Sequence, residues 1–192
     1  MFYWIVRFIL SIGALIFYRV RVSGAENIPE KGAFILCSNH IHSWDPAFLA
    51  MNTQRQLRFM AKKELFERPI KGKFFKAMGA FPVHRDAADM ASYRSSMKAL
   101  AEGMGLVIFC QGTRMKELNI SGAKGGVALF AVKGQVPIVP AGISGSYRFF
   151  TPIHVSFGES VTLEEYYDSR LKTEQIEEIM EGIMERVEKL IV

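Results

Sequence analysis

Three strand-like runs in this chain are mainly apolar and uncharged throughout: AFILCSN (33–39), LVIFC (106–110) and VPIVPAGI (136–143). A strand with one face in water alternates apolar and polar residues, whereas a strand covered on both faces reads as a continuous apolar run. AFILCSN in particular suits a buried strand, and the segments between the runs read as helices. A helix is expected from about Ala88 to Glu102, where Met90, Tyr93, Met97 and Leu100 recur at helical spacing. Another is expected near Gly125 to Lys133. A last one runs from Glu174 to Ile191, with Ile176, Ile179, Met180, Ile183, Val187 and Leu190 on one face and a solvated acidic face opposite. Further strands are expected at RVRVSG (19–24), LRFMA (57–61), AFPVH (80–84) and HVSFG (154–158), with a basic helical stretch between the second and third, ending near Ala77. Strands alternating with helices argue an α/β domain with a mixed, largely parallel sheet flanked by helices. At 192 residues the chain suits one domain and is short for two.

The N-terminus stands apart. MFYWIVRFILSIGALIFY (1–18) has Arg7 as its only charge, and Arg19 and Arg21 follow. It shows no small-residue cleavage site and no basic segment ahead of the apolar run, which argues against a cleaved signal. As a helix it reaches about 27 Å at 1.5 Å per residue, marginal for crossing a bilayer. Arg7, Ser11 and Tyr18 fall near one stripe, and Tyr3, Trp4 and Tyr18 suit a membrane interface. The division is therefore a membrane-associated helix over 1–18, embedded from one side, and a catalytic-sized domain over 19–192. The alternative is a core helix. Charge is uneven in the same direction: residues 1–76 hold 12 Lys/Arg against 5 Asp/Glu, and the rest 12 against 14. A basic part beside an apolar segment points to an anionic surface. Between Arg55 and Lys76, basic residues interleave with Phe59, Phe66, Phe74 and Phe75. That pattern suits nucleic acid or anionic lipid, and the neighbouring apolar helix favours lipid. Cys37 and Cys110 lie in apolar runs without a CxxC pair. They are expected to be small core residues in a reducing compartment, not part of a disulfide framework.

The densest chemistry is SNHIHSWDP (38–46). His40 and Asp45 are five residues apart, which on one helix separates them by about 140°. They can cooperate only if a turn intervenes and a helix begins just after Asp45. Pro46 supports this, because proline pushes its predecessor out of the α region and is tolerated in a first helical turn. Asp45 could then hold one ring nitrogen of His40 and leave the other as a general base. A metal reading stands beside it: His40-x-His42 puts two rings on one face of an extended chain, Asp45 could be a third ligand, and His84 or His154 would complete the shell. A purely structural turn is the third possibility.

Other segments bear on the choice. GAFPVHR (79–85) ends a strand at Arg85. FCQGTRM (109–115) ends another, with Gly112 permitting a tight turn that presents Arg114. GAKGG (122–126) places Lys124 at a helix start. Two arginines, a lysine and a helix N-terminus would form a phosphate site if they converge. The glycines do not match a P-loop.

Taken in order, NHIHSWD, GAFPVHR, FCQGTR and VPIVPAGI resemble the four blocks of the glycerolipid acyltransferase family, over roughly residues 20 to 160. The resemblance implies transfer of a fatty acyl group from acyl-CoA or acyl carrier protein to the sn-2 hydroxyl of a lysophosphatidic acid, giving phosphatidic acid. It makes His40 the base and Asp45 its orienting partner, with no metal and no cofactor. Arg85 and Arg114 would hold the acceptor's phosphate, assisted by Lys124. Gln111, Gly112 and Thr113 would position the substrate, and Val136, Pro137, Ile138, Val139 and Pro140 would line the acyl path. The implied partners are the lipid acceptor, an anionic membrane surface and, as one donor, acyl carrier protein; nucleic acid is not among them. The implied location is the cytoplasmic face of the cell membrane. The family's third block usually reads Phe-Pro-Glu-Gly-Thr-Arg, whereas this chain has Cys110 and Gln111. Gln111→Glu is accordingly expected to preserve or raise activity. A metal-dependent hydrolase using His40, His42 and Asp45 and a non-catalytic lipid-binding module remain the competing readings.

Overall fold

The computed structural model describes residues 2–83, 90–115, 118–119, 123, 125–167 and 169–192. The strands are β1 (Arg19–Ser23), β2 (Phe34–Ser38), β3 (Leu57–Lys62), β4 (Ala80–Val83), β5 (Gly105–Phe109), β6 (Ile138–Gly145) and β7 (Pro152–Phe157). The helices are α1 (Phe2–Phe17), α2 (Asp45–Met51), α3 (Pro69–Ala77), α4 (Met90–Ala101), α5 (Gly126–Gly134) and α6 (Thr173–Lys189). All seven strands join in one sheet, ordered β1-β7-β6-β2-β5-β3-β4. Every pairing is parallel except β6 against β7.

The uncharged runs occupy the middle of this order, as two-sided burial requires. Along β2, Phe34 and Leu36 face the cluster containing Tyr3 of α1 and Phe48 and Leu49 of α2. The alternate residues Ile35 and Cys37 face the cluster built by Val127 and Val132 of α5 and Ile183 and Met184 of α6. Phe34, Ile35, Leu36 and Leu49 are fully buried. Each such side chain contributes roughly 1.5–3 kcal/mol relative to exposure. Helices α1 and α2 thus cover one face of the sheet, and α5 and α6 the other. The expected basic helical stretch divides into a 3₁₀ turn at Lys63–Phe66 and α3. Arg68 is extended, as the residue before Pro69 should be.

Two expectations are corrected here. Tyr3 does not sit at a membrane interface: it is 3% exposed, and the Leu57 N–H donates to its hydroxyl. Cys37 and Cys110 are core residues, but they are joined as a disulfide with their Cα atoms 5.9 Å apart. Parallel pairing of β2 with β5 sets Cys37 opposite Ile108. That brings together two residues 73 apart in sequence, a proximity no local spacing could reveal.

Helix α1 packs through its less apolar stripe. Arg7 donates from Nε to the Ala50 carbonyl at 2.8 Å and from Nη2 to that of Met51 at 3.0 Å, satisfying carbonyls at the end of α2. Ala14 is buried on the same side. Phe8, Ile9, Leu15 and Ile16 project outward, with Leu15 77% exposed. Among the described residues no helix is long and apolar enough to cross a membrane.

Candidate active site

The strand β2 ends at Ser38, and the next residues form the turn that cooperation between His40 and Asp45 requires. Asn39 is 4% exposed. Its amide donates to the Ile143 carbonyl and its carbonyl oxygen accepts from the Ile143 N–H, both at 2.8 Å. One side chain thus imitates a strand neighbour and pins the end of β2 to β6. The chain then turns, the Asp45 N–H donating to the His42 carbonyl at 3.1 Å. Helix α2 begins at Asp45 with Pro46 in its first turn.

This turn brings His40 and Asp45 together. His40 Nδ1 lies 2.7 Å from Asp45 Oδ2, with Asp45 fully buried and His40 8% exposed. The same Oδ2 accepts from the N–H groups of Ile41 at 2.7 Å and His42 at 2.8 Å. The other oxygen, Oδ1, accepts from the hydroxyl of Tyr147. The two N–H groups and the hydroxyl donate, so the carboxyl oxygens act as acceptors and call for a proton on the facing His40 Nδ1. A donor at His40 Nδ1 fixes the tautomer and makes Nε2 the basic nitrogen. The ring is also held in plane by Phe109, stacked at 3.9 Å between centroids and 15° between planes.

His42 is turned to other work. Its ring stacks on Tyr147 at 4.1 Å, and the Trp44 N–H donates to its Nδ1. Among the described residues no group of three His, Cys, Asp or Glu side chains is placed to hold a metal ion. His84 lies outside the described residues, and His154 lies in β7, two strands along from β2, which leads to His40. The metal-hydrolase reading built on His40, His42 and Asp45 therefore has no support in the structure.

The third block follows β5, beside β2. Gly112 has φ of 70°, a conformation that disfavours side chains, and its N–H donates to the Phe109 carbonyl at 2.9 Å. The Met115 N–H then donates to the backbone carbonyl of His40 at 2.8 Å. The residue after Arg114 is thereby fastened to the main chain of the base itself. Arg114 and Thr113 are exposed. Gln111 is 6% exposed, and its Nε2 donates to Met115 Sδ at 3.2 Å and to the Asn119 carbonyl at 3.4 Å. Arg85 and Lys124 lie outside the described residues. The strand before Arg85, β4, runs parallel to β3 in the sheet that also holds β2 and β5.

The fourth block is spent on the core. Ile138 and Val139 are fully buried and Val136 is 7% exposed. Val139 packs on the α2 face, and Val136 and Ile138 on the α6 face. Pro140 is buried and Pro137 half-buried.

Tyr147, Asn39 and Phe109 were not singled out from the sequence as site residues. Tyr147 lies 102 positions from Asp45. Its only sequence signal is an aromatic residue directly after a Gly-Ser strand end. Burial and the neighbouring Asp45 charge push the Tyr147 phenol up from its usual pKa, so it stays a neutral donor.

A histidine held by a buried aspartate just past the carboxyl end of a central strand of an α/β sheet is an arrangement suited to a general base. The family model described as Acyltransferase matches residues 19–144, and the chain belongs to that family. Among its relatives, the 1-acyl-sn-glycerol-3-phosphate acyltransferase of Bacillus subtilis is 35% identical over 127 residues, covering 66% of this chain and 63% of that protein. The enzyme of the same name from Streptococcus pneumoniae is 28% identical over 173 residues, 86% of this chain and 63% of the other. The chain thus spans 63% of the length of either bacterial relative. In fold it is similar to the crystal structure of the 1-acyl-sn-glycerophosphate (LPA) acyltransferase, PlsC, from Thermotoga maritima. The TM-score is 0.70 at 24% identity, covering 90% of this chain and 72% of that one.

Proposed function

We propose that this chain transfers a fatty acyl group from a thioester, acyl-CoA or acyl carrier protein, to the sn-2 hydroxyl of 1-acylglycerol-3-phosphate, giving phosphatidic acid. The observation that carries the reading is the 2.7 Å contact between His40 Nδ1 and a buried Asp45 carboxylate. The family and the names of the relatives support the choice of acceptor.

A free hydroxyl is a poor nucleophile at neutral pH. His40 Nε2 takes its proton as the oxygen attacks the thioester carbonyl. The new C–O bond forms, the C–S bond breaks, and the departing thiolate receives the proton from the imidazolium. Asp45 keeps the ring oriented and stabilises its cationic form. No covalent enzyme intermediate is required. Arg114, with Arg85 and Lys124, grips the acceptor's phosphate, and Gln111, Gly112 and Thr113 shape the turn that carries Arg114. Fixing the acceptor by its headgroup supplies the orientation that makes the attack effectively unimolecular. Residues Val136 to Pro140 support the acyl path from the core behind it.

The substrate is presented at a membrane surface, on its cytoplasmic face. Helix α1 exposes Phe8, Ile9, Leu15 and Ile16. Beside it, Phe2 meets Phe74 of α3 edge-on at 6.3 Å. In α3, Ile70 is 84% exposed and Lys71, Lys73 and Lys76 are exposed around it. Apolar residues ringed by lysine suit an anionic bilayer.

The test is a panel assay. Purified protein is given each thioester donor with lysophosphatidic acid, lysophosphatidylglycerol and lysophosphatidylcholine, with and without EDTA, and products are weighed by mass spectrometry. Phosphatidic acid from the phosphate monoester acceptor, undiminished by EDTA, is the expected result. Lipid binding without any acylated product would leave a non-catalytic module, and product from lysophosphatidylcholine alone would reject the acceptor.

A further inference from the structure

We propose that Tyr147 is a positioning residue for the His40–Asp45 pair, clamping the carboxylate so that its Oδ2 stays in line with the imidazole. The kinetic consequence rests on the acyltransferase reading; the structural consequence does not.

Three donors converge on Oδ2: His40 Nδ1 and the N–H groups of Ile41 and His42. A carboxylate held through one oxygen can still rotate about the Cβ–Cγ bond. The Tyr147 hydroxyl occupies the other oxygen, Oδ1, and removes that freedom. Hydrogen bonds to a charged acceptor are the stronger kind, and in a water-poor site they are well suited to fixing orientation.

Tyr147 is itself over-determined. Its ring stacks on His42 with 25° between planes and meets Phe48 of α2 edge-on at 5.5 Å. Its φ is 54°, a left-handed conformation uncommon for an aromatic residue. Such a backbone persists where surrounding contacts enforce it, and these places cluster at functional sites. The loop bearing Tyr147 is anchored beyond it as well. The Phe150 N–H donates to the Phe17 carbonyl at 2.6 Å, and Phe149 packs on Phe17 at 5.3 Å. The clamp is therefore tied to the end of α1, the helix that meets α2 through Arg7. A residue that merely filled space would not need the hydroxyl, because the ring alone makes the contacts with His42 and Phe48.

Tyr147→Phe keeps that ring and removes only the donor. Three readouts are taken on the full chain: thermal unfolding, kcat and KM for donor and acceptor, and the low-field proton resonance of the His40 Nδ1–H. The expected result is a folded protein with kcat lowered about tenfold or more, from loss of one hydrogen bond to a charged group. Both KM values should stay within twofold, and the low-field resonance should shift or broaden. Unchanged kcat together with an unmoved resonance overturns the proposal, as does a loss confined to KM. In the parent protein the Tyr147 hydroxyl proton should exchange slowly with solvent. Rapid exchange overturns the proposal without reference to any variant. If the parent shows no acyl transfer at all, the resonance comparison still decides the clamp, and only the functional reading falls.

Discussion

Gln111 shows how one substitution in a block can change the local hydrogen-bond chemistry while keeping its shape. The family's glutamate accepts only, whereas this amide donates to Met115 Sδ and the Asn119 carbonyl from a position 6% exposed. A carboxylate placed there would face a carbonyl oxygen and a sulfur without a proton to offer either. Gln111→Glu should therefore lose roughly 1–3 kcal/mol of stability, the cost of an unsatisfied buried polar contact, measured by urea denaturation. A variant as stable as the parent would contradict the donor role. This cost stands against the sequence-based expectation that the same change preserves or raises activity. The His40–Asp45 pair was legible as one of three readings, because a turn before Pro46 would bring the two together; the family resemblance, not the spacing, chose among them. Tyr147 was not, because nothing local ties a residue after β6 to a carboxylate at the start of α2.

At the scale of elements, α1 inverts the usual arrangement of a surface helix. Arg7 and Tyr3 face the domain, while Phe8 and Leu15 face outward at 66% and 77% exposure. Its apolar character was plain in the sequence. That Arg7 serves the end of α2 was not, because the acceptors are backbone carbonyls 43 and 44 residues away. Since Phe8 and Leu15 contribute little to the core, the double change Phe8→Ser with Leu15→Ser should leave unfolding unaltered. Binding to anionic vesicles should weaken by roughly a hundredfold or more, from about 1.5–3 kcal/mol per apolar side chain withdrawn from lipid. Sedimentation with vesicles measures this. Unchanged binding would assign α1 to some surface other than a bilayer.

At the scale of the molecule, the sheet gathers what the chain disperses. The alternation of strands and helices argued for an α/β fold with a largely parallel sheet, and among the described residues seven strands form one sheet in which only β6 and β7 pair antiparallel as strands. Strand order was not legible, because β5 lies beside β2 only through crossovers that sequence spacing does not encode. The disulfide between Cys37 and Cys110 overturns the expectation of two unpaired core cysteines for the same reason. The order matters chemically: with β2 and β5 adjacent, the turn carrying His40 and the turn carrying Arg114 leave neighbouring strand ends, and the Met115 N–H joins them. On the proposed function, this junction deprotonates a lipid hydroxyl through His40. The most direct measurement is single-turnover acyl transfer by His40→Ala, alongside equilibrium binding of lysophosphatidic acid. The expected rate is at least a hundredfold lower, the scale of a lost general base, with binding within a few-fold of the parent. A variant that transfers the acyl group at close to the parental rate would contradict it.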